Sequence, residues 1–250
     1  MKKYLVASLV FLSCLLWSQE MIYPKYMYDK DLNNIPVEKT EDINLFRYKQ
    51  IQYIGQPENN ITLTYTGNEW HSKFLEKNYR NKDFIALKQE FNKRQYKNLR
   101  IFVDTSQKTP LIKTHIDTTK ISNLDYDIKM DSLAAGLKLT KEIPFIITYY
   151  DGFPVTIYNA EKKERVIGFG NNVALELEGL DKDHQWKKIY DYRKYTCGTG
   201  INFFVLKPKE IATVFEPRLS GNFKTKFRYR LGNVVSNEFE GSINDKYFND

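Results

Sequence analysis

A cysteine and a histidine are the first pair of side chains in this sequence that could carry out catalysis. Cys197 lies in a glycine-bounded stretch, residues 196–200, and His184 precedes it by thirteen positions. A thiolate is a nucleophile, and a hydrolase that uses one needs a nearby imidazole to accept the thiol proton. One hypothesis is therefore a hydrolase with Cys197 as its nucleophile. The alternative is a cysteine that packs as a small apolar residue.

Aromatic residues interleaved with charged ones form a second candidate site. Tyr190, Tyr192 and Tyr195 follow Trp186 closely, with Asp, Arg and Lys residues between them. Exposed rings with polar neighbours can stack on the faces of sugars. Because aromatic residues are also enriched in strands, the alternative is that these tyrosines line a core or cap its edge.

Basic residues are concentrated in one part of the chain. Residues 72–100 contain nine cations and three anions, while the formal charge of the whole chain is +7. Such a surface attracts anionic lipid, an acidic glycan or nucleic acid, and the alternative is a solvated surface without a ligand. No base-reading motif accompanies these residues, so we expect no nucleic-acid partner. The candidate binding residues are Lys82, Lys88, Lys93 and Lys97.

Several other chemistries lack the residues that they need. The histidines His71, His115 and His184 are isolated from one another, and no H-E-x-x-H motif occurs. A serine nucleophile elbow of the G-x-S-x-G form is also absent from the sequence. We therefore predict no metal and no cofactor. A mean hydropathy of −0.55 and only two cysteines exclude multi-pass membrane proteins and disulfide scaffolds.

The N-terminus has the pattern of an export signal. A basic start, residues 1–3, is followed by an apolar run over residues 4–17 that is too short to span a bilayer. This pattern predicts a signal peptide, residues 1–18, with cleavage after Ser18. The alternative is lipidation at Cys14, whose preceding residues resemble a lipobox. We expect a location in the periplasm, on the outer-membrane surface or in the medium.

The basic region contains one predicted helix. Phe84, Leu87 and Phe91 recur at the spacing of one helix face, which predicts an amphipathic helix over about residues 82–96. Asn81 is the candidate N-cap, since Asn is among the preferred residues at that position.

Most of the remaining chain is predicted to form strands. Short apolar runs separated by turn residues favour an antiparallel sandwich over an α/β fold. The runs cover residues 99–103, 143–149, 153–159, 165–169, 173–180, 186–190, 201–206, 210–215, 223–231 and 235–243. We therefore divide the chain after the signal into a mixed N-terminal region, residues 19–98, and a β-sandwich region, residues 99–250.

The last two runs predict a hairpin and its register. Apolar residues or Thr alternate with cations in residues 223–231, as in a strand with one buried and one wet face. A three-residue loop places Phe227 opposite Phe239, whereas a two-residue loop would bury a carboxylate at Glu238. The predicted register also sets Arg228 opposite Glu238 and Lys226 opposite Glu240.

The C-terminal part resembles a known class of fold. Residues 223–243, with Ser-Asn-Glu-Phe at 236–239, the strand 186–189 and the turn 207–210 resemble the closing strands of immunoglobulin-like or fibronectin-type sandwiches in exported bacterial proteins. The similarity covers about residues 150–248. It implies an immunoglobulin-like antiparallel sandwich, and no functional residue follows from it, because such sandwiches have many roles.

Taken together, these patterns predict an exported, mainly β protein that is a non-enzymatic binding or structural module of the cell envelope. An envelope glycan or an anionic lipid is the expected kind of partner. A hydrolase that uses Cys197 and a binder of anionic lipid or glycan through the basic helix are the alternatives.

Overall fold

The computed structural model describes residues 23–29, 35–46, 49–65, 70–71, 79–80, 83–117, 145–170, 172–190 and 202–248. Strands form most of the regular structure in these residues, and one α-helix accompanies them. The predicted mainly β fold with antiparallel sheets and one N-terminal helix is confirmed. Among the described helical residues, no stretch has both the length and the apolar character needed to cross a bilayer.

The secondary structure elements form five sheets within the described residues. The strands are β1 (Lys25–Tyr28), β2 (Val37–Glu38), β3 (Ile51–Gly55), β4 (Asn60–Tyr65), β5 (Trp70–His71), β6 (Tyr79–Arg80), β7 (Leu99–Val103), β8 (Leu111–Ile116), β9 (Phe145–Tyr150), β10 (Gly152–Asn159), β11 (Arg165–Phe169), β12 (Asn172–Val173), β13 (Glu176–Leu180), β14 (Trp186–Tyr190), β15 (Phe203–Leu206), β16 (Ile211–Pro217), β17 (Phe223–Leu231), β18 (Val234–Val235) and β19 (Phe239–Ile243). The helix α1 is Phe84–Lys93, and a 3-10 turn covers Asp245–Phe248. The sheet orders are β1-β4-β5, β3-β16-β10-β7, β12-β11-β15-β6, β2-β9-β8 and β14-β13-β17-β18, with β19 also paired to β17.

The sheet β3-β16-β10-β7 is covered on both faces. On one face, Phe153 of β10 contacts Phe239 of β19, with ring centroids 5.2 Å apart. On the other face, Phe215 of β16 meets Tyr26 of β1 at 5.6 Å. Burial on both faces explains why β10 and β16 have apolar residues at consecutive positions rather than at alternate ones.

The N-terminal region contributes strands to these sheets. β3 pairs with β16, and Ile51 and Ile54 of β3 lie in the main apolar core. β6 pairs with β15. β2 pairs with β9. Strands from both sides of the division drawn after residue 98 therefore share three sheets, and they also share one core.

Most of the predicted strands occur near their predicted positions. The runs 165–169, 186–190 and 223–231 coincide with β11, β14 and β17. The run 173–180 is interrupted after Val173, because Val173 belongs to β12 and pairs with β11, whereas β13 begins at Glu176 and pairs with β17.

Away from its turn, the closing hairpin has the predicted register, but the turn itself differs from the prediction. Phe227 lies opposite Phe239, as predicted, and the alternation of buried and wet positions along β17 is confirmed. Leu231 lies opposite Val234, so the loop has two residues rather than the predicted three. One extra residue on the return strand, within residues 236–238, restores the register, which is the geometry of a β-bulge.

The predicted cross-strand pairs of the β17 cations are confirmed only in part. Arg228 was expected opposite Glu238, but it lies opposite Glu178 of β13 and donates to that carboxylate at 2.6 Å. Arg230 donates to Glu178 at 2.6 Å as well. Lys226 lies opposite Glu240, as predicted, although its ammonium pairs with Glu238 at 3.1 Å. The expectation for Arg228 was wrong because it considered the hairpin alone, and β13 lies along the other edge of β17.

The helix is shorter at its C-terminus than predicted. It ends because Arg94 adopts a left-handed conformation with φ 41°, and its N–H donates to the Glu90 carbonyl at 2.9 Å. The prediction of helix as far as Tyr96 is therefore wrong. Tyr96 instead lies in the connection between α1 and β7, and its hydroxyl donates to the Val166 carbonyl at 2.7 Å.

The helix begins without a side-chain cap. Asp83 precedes α1 with φ 61° and makes no capping hydrogen bond, and the predicted N-cap Asn81 lies outside the described residues. Of the predicted apolar face, Phe91 is buried and Leu87 is half-buried, but Phe84 is 37% exposed. The apolar face is therefore buried more completely at its C-terminal end than at Phe84, whose ring still packs on Phe203 at 5.4 Å.

Candidate functional site

The tyrosine cluster does not present Tyr190 as a stacking surface. Tyr190 ends β14 and is buried, with the Lys49 ammonium 5.0 Å from the centre of its ring. Tyr192 and Tyr195 lie outside the described residues. Trp186 is half-buried, and the Arg228 guanidinium lies 4.1 Å from the centre of its ring. The described part of this cluster therefore belongs to the core and to a cation-π contact.

The proposed catalytic pair can be placed only in part. His184 is exposed on the turn between β13 and β14, with φ 57°. That turn closes through the Asp181 N–H, which donates to the Gln185 carbonyl at 2.9 Å. Cys197 lies outside the described residues, so its distance from His184 stays untested.

The lysines of the basic region lie at the surface. Lys88 and Lys93 of α1 are exposed, as is Lys97 in the connection that follows, and Lys82 lies outside the described residues. The positions of the three described lysines match a cationic surface.

No cluster of three or more metal-ligating side chains occurs in the described parts of the chain, counting His, Cys, Asp and Glu together. The described residues also form a groove of about 1090 Å³, with walls from both β10–β16 and β13–β17–β19, and we call it the inter-sheet groove. A volume near 1000 Å³ is at the upper end of the range for small-ligand sites.

Aromatic rings form the floor of the inter-sheet groove. Phe239 is the central ring, with Phe153, Phe227 and Tyr229 at 5.2, 5.7 and 5.8 Å between centroids. Phe239 and Phe223 are half-buried, so parts of both rings face the groove, whereas the other three are buried beneath. The floor is thus apolar and held in place by ring packing.

A glycine in β19 keeps part of this floor open. A Cβ at Gly241 would lie 3.0 Å from the ring of Phe227, which is closer than normal contact. Any larger residue at position 241 would have to displace that ring.

Cations predominate on the rim of the inter-sheet groove. The charged lining residues are Lys39, Lys182, Arg218, Lys224 and Lys226, against Asp181 and Glu240. Arg218 pairs with Asp151 at 3.2 Å, and Lys182 with Asp245 at 3.6 Å. Within the described residues, Lys39 and Lys224 have no acidic partner, although both are exposed. Two cations are therefore available to a ligand at the rim.

A buried polar cluster lies behind the inner end of the groove. Tyr229 lines the groove, and its hydroxyl donates to the Glu216 carboxylate at 2.9 Å. Lys49 donates to the same carboxylate oxygen, and only 6% of the Lys49 side chain and 1% of that of Glu216 are exposed. The second oxygen, Oε1 of Glu216, is buried and has no hydrogen-bond partner among the described residues.

Burial is the main influence on the pKa values of Glu216 and Tyr229. It raises the pKa of the Glu216 carboxyl, and the attraction of Lys49 and the hydrogen bonds from Lys49 and Tyr229 offset that effect only in part. Burial next to the Glu216 carboxylate raises the pKa of Tyr229 well above its ordinary value. Tyr229 therefore stays a neutral donor near pH 7, and the cluster orients the floor of the groove rather than supplying a nucleophile.

Sequence reasoning identified only part of this site. The alternation along β17 predicted that Phe223 and Phe227 face inward and that Lys224 and Lys226 face outward. Lys39 is distant in the chain from β17, and Arg218 and Leu219 lie in the connection between β16 and β17; nothing in their local sequence marks them as part of a groove. The sequence also does not indicate that Lys49 is buried, because lysine is among the residues that are most often exposed.

Comparison of the chain with models of protein families, with curated proteins and with solved structures found no match. The geometry of the described residues is therefore the basis for assigning a function.

Proposed function

We propose that this chain is an exported, non-enzymatic binding module of a cell envelope that holds an amphipathic anion in the inter-sheet groove. The ligand class is a molecule with one apolar chain and one carboxylate or phosphate head. The observation that carries the proposal is the combination, in one groove, of half-buried aromatic rings on the floor and cations without acidic partners on the rim.

The floor suits the apolar part of such a ligand. Phe223 and Phe239 offer ring surface that is only partly covered by protein, so contact with an alkyl chain would remove it from water. Phe153 and Tyr229 support Phe239 from behind, so the surface needs little rearrangement before binding.

The rim suits the anionic part. Lys39 lies on the segment that follows β2 and Lys224 lies on β17, so the two cations approach the groove from different elements. Their charges are exposed, so each contributes a modest, salt-dependent attraction. We expect affinity to fall as ionic strength rises.

Titration calorimetry with decanoate tests this proposal, and decan-1-ol is the uncharged comparison with the same chain. The variant Lys39→Glu/Lys224→Glu should bind decanoate at least about tenfold more weakly, because two attractive rim charges become repulsive. The matched control is Lys108→Glu/Lys162→Glu, which makes the same change in net charge at exposed lysines outside the groove. The control should bind decanoate as the parent protein does.

Two outcomes would overturn the proposal. One is equal loss of affinity in the groove and control variants, since that would show a dependence on net charge alone. The other is binding of decan-1-ol as tightly as decanoate, since the rim cations would then play no part in recognition.

Export is a separate part of the proposal with its own test. Mass spectrometry of the protein from fractionated host cells should find a mature N-terminus at Gln19, in line with cleavage after Ser18. An N-terminus at an acylated Cys14 would replace the soluble exported form with the lipoprotein alternative. A chain that retains Met1 in the cytoplasmic fraction would contradict export.

A further inference from the structure

We propose that the outer face of α1 is a docking surface for an anionic lipid bilayer. The proposal concerns a different surface from the inter-sheet groove and does not depend on that groove binding a ligand. The helix leaves Ile85, Lys88 and Lys93 in solvent, and we call this surface the helix patch. Phe84, which is on the same helix face as the buried Phe91, lies at the edge of the helix patch.

An isoleucine is the most exposed part of the helix patch. Ile85 is 73% exposed, whereas the other exposed large apolar side chains of the described residues are at most 48% exposed. Phe84 next to it is 37% exposed, although its ring also packs on Phe203 at 5.4 Å. Two adjacent apolar side chains at the start of a surface helix thus remain in contact with water.

The helix cannot bury Ile85 by a small adjustment. Phe91 is buried and fixes the rotation of α1, because its ring meets those of Phe169 at 5.5 Å and Phe203 at 5.8 Å. With a rotation of about 100° per residue, Ile85 lies roughly 120° from Phe91 around the helix axis. Its side chain therefore points away from the core as long as Phe91 stays buried.

Cations stand on both sides of Ile85. Lys88 lies one turn further along on one side, with its ammonium 6.0 Å from the centre of the Phe84 ring, and Lys93 lies on the other side. Both lysines are exposed, and so is Lys97 just beyond the helix. The helix patch therefore surrounds an apolar centre with positive charge.

The acids of this segment do not cancel that charge. Glu90 is paired with Arg165 at 3.2 Å on the other flank of the helix. Asp83 is exposed at the start of α1 and carries one negative charge against Lys88, Lys93 and Lys97. The helix patch keeps a positive excess.

An apolar centre with lysines around it matches the interface of an anionic bilayer. Apolar side chains of a surface helix enter the boundary between headgroups and acyl chains, and lysines beside them meet the anionic headgroups. A neutral bilayer would satisfy only the first of these contacts, and an acidic soluble protein would leave Ile85 without an apolar environment. We therefore expect binding that needs both the apolar side chain and the lysines.

Flotation with large unilamellar vesicles tests the inference on the full chain. We expect binding to vesicles of 30% phosphatidylglycerol in phosphatidylcholine, and at least about tenfold weaker binding to phosphatidylcholine alone. Ile85→Ser should weaken binding to the anionic vesicles by about fivefold to tenfold, because it removes one inserted apolar side chain. Lys88→Glu/Lys93→Glu should reduce binding to the level of neutral vesicles.

Two controls separate this surface from general properties of the chain. Ile146→Ser removes an apolar side chain that is 48% exposed on β9, and it should leave vesicle binding unchanged. Lys108→Glu/Lys162→Glu makes the same charge change as the double lysine variant and should have a much smaller effect. Circular dichroism establishes that each variant is folded.

A second measurement reports the position of the helix itself. In Phe84→Trp, the added indole should be quenched by brominated phosphatidylglycerol vesicles and shift its emission to shorter wavelength. Equal effects of Ile85→Ser and Ile146→Ser, or no dependence on phosphatidylglycerol, would overturn the inference. Loss of self-association in Ile85→Ser, with vesicle binding unchanged, would show that the patch joins copies of this chain and would overturn it too.

Discussion

Asn237 and Val103 form two hydrogen bonds that join the closing hairpin to the sheet facing it. The Val103 N–H donates to Oδ1 of Asn237 at 2.8 Å, and Nδ2 of Asn237 donates to the Val103 carbonyl at 3.0 Å. The side-chain amide thus satisfies both backbone groups of Val103, as a neighbouring strand would. Because Asn237 lies within the bulge of residues 236–238, the extra residue of the hairpin has a structural role.

Replacing Asn237 with Ala should therefore destabilise the fold. The Val103 N–H and carbonyl lose their partners at a position where the residue is 3% exposed, and we expect the free energy of unfolding to fall by about 1–3 kcal/mol. Urea unfolding followed by circular dichroism measures this change. The control Asn92→Ala, at an exposed position of α1, should change stability by less than about 0.5 kcal/mol. Equal effects of the two substitutions would contradict the role assigned to Asn237.

The hairpin shows how far side-chain patterning can predict register. The alternation along β17 fixed the pairing of Phe227 with Phe239, because only that register buries both rings. Patterning did not distinguish a three-residue loop from a two-residue loop followed by a bulge, since both place Phe227 opposite Phe239. The choice depends on contacts from other segments, such as those that Arg94 and Val103 make with the turn and the bulge.

The charged residues were harder to predict than the apolar ones. Arg228 has possible partners on both neighbouring strands, and the sequence does not show that β13 lies beside β17. Glu216 is 1% exposed within an apolar run, and its partner Lys49 is distant in the chain. Patterning therefore predicted the strands and one wall of the groove, but not the segments that complete the site.

Gly232 should be far less tolerant of a side chain than Gly170. Both have positive φ, 60° and 54°, but a Cβ at Gly232 would lie 2.0 Å from the Arg94 carbonyl oxygen, while one at Gly170 would be 3.9 Å from its nearest neighbour. Gly170→Ala should lower the free energy of unfolding by about 1–2 kcal/mol, the cost of a side chain in a left-handed backbone conformation. Gly232→Ala should lower it by about 1–3 kcal/mol more, because its Cβ also clashes with Arg94. Urea unfolding of both variants measures the difference, and equal losses would contradict this contact.

Removing Lys49 should leave an uncompensated charge in the core. We expect Lys49→Met to lower the free energy of unfolding by about 3–5 kcal/mol at pH 7, because Glu216 then stays buried without its cation. Lys49→Met/Glu216→Gln should recover much of this loss, since the amide is neutral and still accepts from Tyr229. Urea unfolding of the two variants provides the comparison. If the double variant is as unstable as the single one, the loss comes from packing rather than charge.

The same cluster should give Lys49→Met a distinct dependence on pH. A buried carboxyl with a raised pKa binds its proton more tightly in the folded than in the unfolded state, so its contribution to stability grows as pH falls. The destabilisation of Lys49→Met relative to the parent protein should therefore shrink between pH 7 and pH 5, because protonation neutralises Glu216. Urea unfolding at several pH values checks this, and a loss that is constant over that range would count against a charged Glu216.

The contribution of Glu178 to stability should decrease as pH falls, whereas that of Glu216 increases. Burial alone would raise its pKa, but hydrogen bonds and attraction from Arg230 and Arg228 outweigh burial and hold the pKa below the ordinary glutamate value of about 4.5. A lowered folded-state pKa gives stability that is present above the unfolded-state value and is lost as pH falls through the folded-state value. Glu178→Gln should therefore lower the free energy of unfolding by about 1.5–3 kcal/mol at pH 7 and by progressively less below about pH 4.5.

In the matched control, Glu238→Gln should lower the free energy of unfolding by less than about 1 kcal/mol, because Glu238 forms an exposed pair with Lys226. Urea unfolding from pH 7 to pH 3.5 measures both variants, and equal, pH-independent losses would show that the two arginines do not hold Glu178 in its charged form.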